Sequence, residues 1–121
     1  MQGFDFRVVF YDKADGSKPA QEFLDELDEK MFAKMTRAIN IIRDGGAMIR
    51  EPYSKHLEDG IFEVRAKVGS DISRVLYFFF DGRRMVCTHG FIKKTQRTPS
   101  SEIKLAKKYR NEYLNRKENQ K

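Results

Sequence analysis

The sequence predicts an α+β domain in which a pair of helices precedes an antiparallel meander of strands and a last helix follows it. Three observations carry this reading. Apolar residues recur every three to four positions over residues 28–43, the pattern changes to a period of two over residues 61–92, and helical spacing returns in a highly charged stretch after Pro99. Helices grouped before and after the strands, rather than alternating with them, exclude the parallel doubly wound folds. At 121 residues the chain is expected to form one domain, residues 1–121, long enough to bury a hydrophobic core.

The opening "FDFRVVFYD" is aromatic and β-branched, with Asp5 and Arg7 alternating against Phe4, Phe6 and Val8, and predicts a strand from Phe4 to Tyr11. "DKADGSKP" reads as a turn. Ser17 ahead of Pro19 then opens "PAQEFLDEL", whose Phe23, Leu24 and Leu27 are spaced for one helical face. A second helix spans Asp28 to Arg43 with Met31, Phe32, Met35, Ala38, Ile39 and Ile42 on one side, and "DGG" supplies its stop. The short connection makes the two a hairpin expected on one face of the sheet.

"AMIREPYSKHLEDG" reads as a loop. In "IFEVRAK", Phe62, Val64 and Ala66 alternate with Glu63, Arg65 and Lys67. Residues 73–92 hold two β-rich runs around "FDGRR", and Asp-Gly between such runs signals a hairpin, which gives a meander of three antiparallel strands. "LYFFF" is apolar throughout, which places its strand centrally and covers it on both sides. Thr98 and Pro99 open the last helix, with Ile103, Ala106, Tyr109, Tyr113 and Leu114 at helical spacing and a frayed tail after Arg116.

Composition and motifs exclude several chemistries. The longest apolar run, "VLYFFF", is far shorter than the ~20 residues of a membrane span. No secretory signal is visible and one cysteine cannot form an internal disulfide, which agrees with a cytoplasmic protein. His56 and His89 lie far apart and no acidic cluster has ligand spacing, so neither a metal nor a cofactor is expected. Phosphate loops and nucleophile elbows are absent, and mid-strand Cys87 reads as a small buried hydrophobe.

Charge is more informative. Residues 1–60 hold nine Lys and Arg against twelve Asp and Glu, for −3, whereas residues 61–121 hold fifteen against six, for +9. A basic half attracts polyanions: nucleic acid first, then acidic proteins or anionic membrane surfaces. On the meander, Arg65 ends one strand and Arg74 begins the next, so antiparallel pairing brings them together, with His89, Lys93, Lys94 and Arg97 toward the same end of the sheet. Such a cluster suits a phosphodiester: it grips the non-bridging oxygens, stabilises the growing charge and needs no metal. His89 adds a group that moves protons near neutral pH. Metal-free cleavage favours RNA, which carries its own 2′-hydroxyl nucleophile. The plain alternative is that these cations are solvated strand ends and His89 a packed residue. Arg74, opening the most apolar strand, requires either an acidic partner or a groove. Lys104, Lys107 and Lys108 form a basic outer face on the last helix, able to meet RNA or simply to solvate it.

"FEVRAK", "SRVLYFF" and "HGFIKKTQRTPSSEIKLA" together resemble the RelE/ParE toxin superfamily, most closely its HigB-like, phage-derived branch. The similarity covers most of residues 4–110 in element order and is close over residues 61–106. It implies a RelE-like fold with a small antiparallel or mixed sheet. It further implies a toxin that cuts mRNA in the ribosomal A site, is monomeric alone, and is neutralised by a cognate helix-turn-helix antitoxin. By the resemblance, Arg74 grips phosphate, Arg65 matches a basic position on the preceding strand, and Lys94, with Lys93 beside it, matches the basic residue that follows the last strand; Arg74, Arg65 and Lys94 are the expected catalytic cations. His89 belongs to the motif and is given a catalytic proton-transfer role, while Lys93, Arg97, Lys67, Lys104, Lys107 and Lys108 are expected to extend the RNA-binding surface. The sequence departs from RelE proteins where Pro99 and Ser100 stand in place of a tyrosine. Tyr77, Tyr109 and Tyr113 are the remaining candidates for that group, electrostatic catalysis alone being the other possibility. ParE-like members share the architecture but poison DNA gyrase by binding, and a non-catalytic nucleic-acid-binding module is a third reading.

Overall fold

A computed structural model describes residues 6–45, 53–93 and 96–119. Its centre is a mixed sheet of β1 (Arg7–Phe10), β2 (Ser54–Glu58), β3 (Ile61–Val68), β4 (Asp71–Phe80) and β5 (Arg84–Lys93), in the order β1-β5-β4-β3-β2. β3, β4 and β5 form the expected antiparallel meander, with β4 in the middle. Asp81 and Gly82, at φ 53° and 72°, make the turn between β4 and β5, closed by the Arg83 amide donating to the Phe80 carbonyl at 3.2 Å. Two successive positive φ values suit the right-handed twist of a tight hairpin, and Asp-Gly adopts them at low cost.

Among the strands, two depart from the sequence reading. The segment Ser54–Glu58, expected as loop, is an edge strand paired antiparallel to β3. Its one apolar residue, Leu57, gives no alternation to detect. The usable signal is in the turn, where Asp59 and Gly60 stand at φ 51° and 76°. The first strand is also shorter than predicted: β1 runs from Arg7 to Phe10, with Phe4 and Asp5 outside the described residues. It pairs parallel to β5, Arg7 opposite Arg84, which makes the sheet mixed.

Helices cover both faces, as β4 demands. α1 (Pro19–Asp25) and α2 (Glu29–Gly45) pack on one face, where Leu24, Met35 and Ile42 meet Val64, Val75 and Tyr77. α3 (Ser100–Glu118) lies on the other, placing Ala106, Tyr109 and Tyr113 against Leu76, Phe78 and Val86. Asp28 caps α2 by accepting the Met31 amide at 2.8 Å. Ser17 does not cap α1; its hydroxyl donates to Asp15 at 2.7 Å within the preceding turn. Phe32, placed on the apolar face by spacing, is exposed, because the buried arc of α2 is confined to Met31, Met35, Ala38, Ile39 and Ile42. Leu114 of α3 is exposed likewise, and α3 continues past Arg116 to Glu118. Among the described residues, no helix is long and apolar enough to cross a membrane.

Candidate nucleic-acid interface

Strand alternation decides which side chains meet. Arg65 lies directly opposite Arg74 in the β3–β4 register, on the face toward α3. Two like charges across a strand pair repel, and a third group relieves them here. Glu63, two residues before Arg65 on the same face, is 0% exposed and forms an ion pair with Arg65 Nε. Thr98 donates its hydroxyl to the second Glu63 oxygen rather than capping α3.

The segment before α3 closes over this group. Arg65 Nη2 donates to the Gln96 carbonyl at 2.6 Å, and Arg74 Nη1 donates to the Arg97 carbonyl at 3.2 Å. Arg74 is 0% exposed. Burial pushes its guanidinium below the ordinary range, the Glu63 carboxylate opposes that push and Arg65 adds to it. Arg74 is therefore enclosed rather than open to a groove, held by the Arg97 carbonyl with the Glu63 carboxylate as its favouring charge.

His89 is enclosed as well, at 5% exposure. Tyr77 faces Cys87 and Leu76 faces His89, so Thr88 is an extra residue that bulges β5 and turns the imidazole toward α3. There Nε2 lies 3.1 Å from Glu102 Oε1 and Nδ1 lies 3.1 Å from Thr88 Oγ1. Burial lowers the imidazole pKa, opposed by the hydrogen bond and charge of Glu102. The ring ties β5 to α3. Cys87 is wholly buried and its thiol is pushed up to about 12, as its mid-strand position implied.

Beside the buried group, at the edge between α2 and β3, is an open cleft of about 620 Å³ lined by Lys34, Arg37, Tyr53, Arg65, Lys67 and Gln96. Four cations and no carboxylate face it among the described residues. A cleft at the opposite end of the sheet also holds arginines, but Asp44 and Asp81 stand among them and pair with Arg43 at 3.1 Å and Arg84 at 3.8 Å. Of these two, the first therefore carries the larger excess of positive charge among the described residues, even with Arg65 paired to the buried Glu63, and such an excess recruits an anion. The Lys34 ammonium donates to the Lys67 carbonyl at 2.8 Å, fixing α2 to the end of β3. Arg65 is the hinge of the arrangement, with one side of its guanidinium on Glu63 and the other on the cleft wall.

The structure thus brings together only part of the predicted set. Arg65 and Lys67 line the cleft, Arg74 sits behind it, and His89 is shut under α3. Lys93 is exposed at the end of β5 and Arg97 is exposed near Lys55 and His56, while Lys94 lies outside the described residues. Lys104 and Lys108 are exposed on α3, but Lys107 pairs with Glu58 at 2.5 Å. Tyr77, Tyr109 and Tyr113 are all buried, and desolvation raises the Tyr77 phenol further. Sequence reasoning missed Lys34, Arg37, Tyr53 and Gln96. The first two were legible in principle, since positions 34 and 37 flank the buried face of α2; Tyr53 stood in a segment read as loop. No group of three or more His, Cys, Asp and Glu converges as a metal site among the described residues.

Fold and cleft together define a small α+β protein with a basic cleft at one edge of its sheet. The chain belongs to the phage-derived Gp49-like protein family, whose pattern it matches over residues 22–111, and that family is toxin-like. The match contains every cleft residue named above. No curated protein matches the chain.

Proposed function

We propose that this protein is the toxin of a toxin–antitoxin pair and a metal-independent endoribonuclease that cuts mRNA in the ribosomal A site. The observation that carries the reading is the cleft lined by Lys34, Arg37, Arg65 and Lys67, with no carboxylate on its wall among the described residues. The toxin-like family and the sheet flanked by a helical pair and a C-terminal helix support it, the latter fitting a RelE-like fold.

In this mechanism the 2′-hydroxyl oxygen attacks the adjacent phosphorus, the P–O5′ bond breaks, and a 2′,3′-cyclic phosphate and a 5′-hydroxyl result. The proton leaves the 2′-oxygen and one is delivered to the departing 5′-oxygen. Arg65, Lys67 and Arg37 hold the non-bridging oxygens, whose charge grows in the transition state. Lys94 keeps the basic role that the family resemblance implies. Arg74 acts as a positioning residue: with Glu63 it fixes Arg65 and, through the Arg97 carbonyl, the segment entering α3. His89 is assigned to packing. A helix-turn-helix antitoxin would neutralise the toxin by bringing acidic side chains to the cleft.

The enclosure of Arg74 and His89 favours a second reading, RNA binding without cleavage. Expression in bacteria of the wild type and of an Arg37→Ala/Lys67→Ala variant, with mRNA 5′ ends mapped, separates the readings. Cuts within translated codons that disappear in the variant are expected. Arrest with intact messages and a DNA-damage response would replace the nuclease reading with gyrase poisoning, and RNA capture without cuts would leave the binding module.

A further inference from the structure

Tyr53 has no part in the chemistry above, yet its surroundings are unusual for the chain. Of five tyrosines, Tyr11, Tyr77, Tyr109 and Tyr113 are buried, whereas Tyr53 is 40% exposed. It immediately precedes β2 and lines the same cleft as the four cations, over a floor that includes Ala66 and Ile72. A single exposed ring on a protein surface requires no explanation. A ring set among Lys34, Arg37, Arg65 and Lys67 combines the two components of a single-strand binding surface, a cationic track for the backbone and a flat face for a base. The backbone is anchored too, because the Arg65 amide donates to the Tyr53 carbonyl at 3.4 Å. The cleft volume of about 620 Å³ falls within the range of ~300–1,000 Å³ usual for sites that bury a small ligand.

We propose that Tyr53 is a stacking platform that receives one unpaired nucleobase of a single-stranded RNA while Lys34, Arg37 and Lys67 hold the flanking phosphates. This rests on the reading of the cleft as an RNA-binding surface and adds to it a specific base-binding position. The ring needs an unstacked base, so the platform selects single strands over duplexes.

The chain contains no tryptophan, so a Tyr53→Trp variant carries a sole indole at the site. Its emission is to be followed during titration with a short single-stranded oligoribonucleotide, with an abasic strand of equal length and with an RNA duplex. Wild type and Tyr53→Ala are to be compared by fluorescence anisotropy with the same labelled oligoribonucleotide over a series of salt concentrations. The oligoribonucleotide is expected to quench the indole and the abasic strand to leave it unchanged. Tyr53→Ala is expected to weaken binding about tenfold to a hundredfold. The dependence of log affinity on log salt should stay the same, because the phosphate contacts remain. Tyr53→Ala binding at wild-type affinity, equal quenching by the abasic strand, or tighter binding of duplex would each overturn the platform while leaving the basic cleft in place. Failure of the wild type to bind any RNA, or binding of an acidic peptide instead, would overturn both the platform and the cleft reading.

Discussion

Glu63 is the residue on which the candidate site depends. It is wholly buried between two arginines held opposite each other by strand register, and its carboxylate makes that pairing tolerable. Removing one partner from a buried charged group leaves the others uncompensated and typically costs about 3–5 kcal/mol. Glu63→Ala is therefore expected to lower unfolding stability by that amount in urea titrations, far more than loss of an exposed pair such as Lys107–Glu58, worth about 1 kcal/mol or less. His89 makes a second prediction, set by Glu102 and Thr88 around its ring and Tyr109 beside it. Burial holds the folded-state pKa below the ordinary 6.5, so the unfolded chain takes up the proton first. The stability this group contributes is complete above pH 6.5 and is lost as pH falls from there through the folded-state value. Thermal melts across that window should show the decline for the wild type and a smaller one for His89→Gln.

At the scale of elements, the long amphipathic helix, the meander and the Asp-Gly hairpin were legible because each rests on a local period or a local turn. β2 was not, because an edge strand with one apolar residue carries no alternation. Its turn, Asp59-Gly60, was the same signal that identified the β4–β5 hairpin. Gly90 shows what local signals omit. A Cβ there would stand 2.2 Å from Phe23 Cδ2, so α1 can approach β5 only because this position has no side chain. Nothing in "THGFI" announces a helix passing overhead. Gly90→Ala is expected to cost about 1–3 kcal/mol, the range for forcing volume into a packed core. In a double-mutant cycle with Phe23→Ala, the combined loss should be smaller than the sum of the two, since Phe23→Ala removes the ring that the new methyl group would strike.

For the molecule as a whole, the uneven charge along the chain has a different meaning in three dimensions. The basic half was expected to form the anion-binding surface alone, yet Lys34 and Arg37 come from the acidic half, brought to Arg65 and Lys67 by the packing of α2 on β3. Several cations of α3 instead face acids of the first half: Lys107 meets Glu58, Arg110 meets Asp59 at 2.8 Å and Arg116 meets Asp12 at 3.2 Å. Counting charge by position could not show this, because the cleft is built from segments far apart in sequence. The parallel placement of β1 beside β5 extends the same point to the order of folding. The meander needs only short connections, but β1 must wait for a partner far along the chain, Arg7 for Arg84, and closing so long a loop is slow. Substitutions in β1 such as Val8→Ala should accordingly speed unfolding and leave the refolding rate nearly unchanged in stopped-flow measurements, whereas substitutions in the β4–β5 hairpin should slow refolding. A chain emerging from the ribosome therefore exposes the β1-facing edge of β5 until its first-made strand swings back to pair there, and any extended segment that reached that edge sooner would compete for the place.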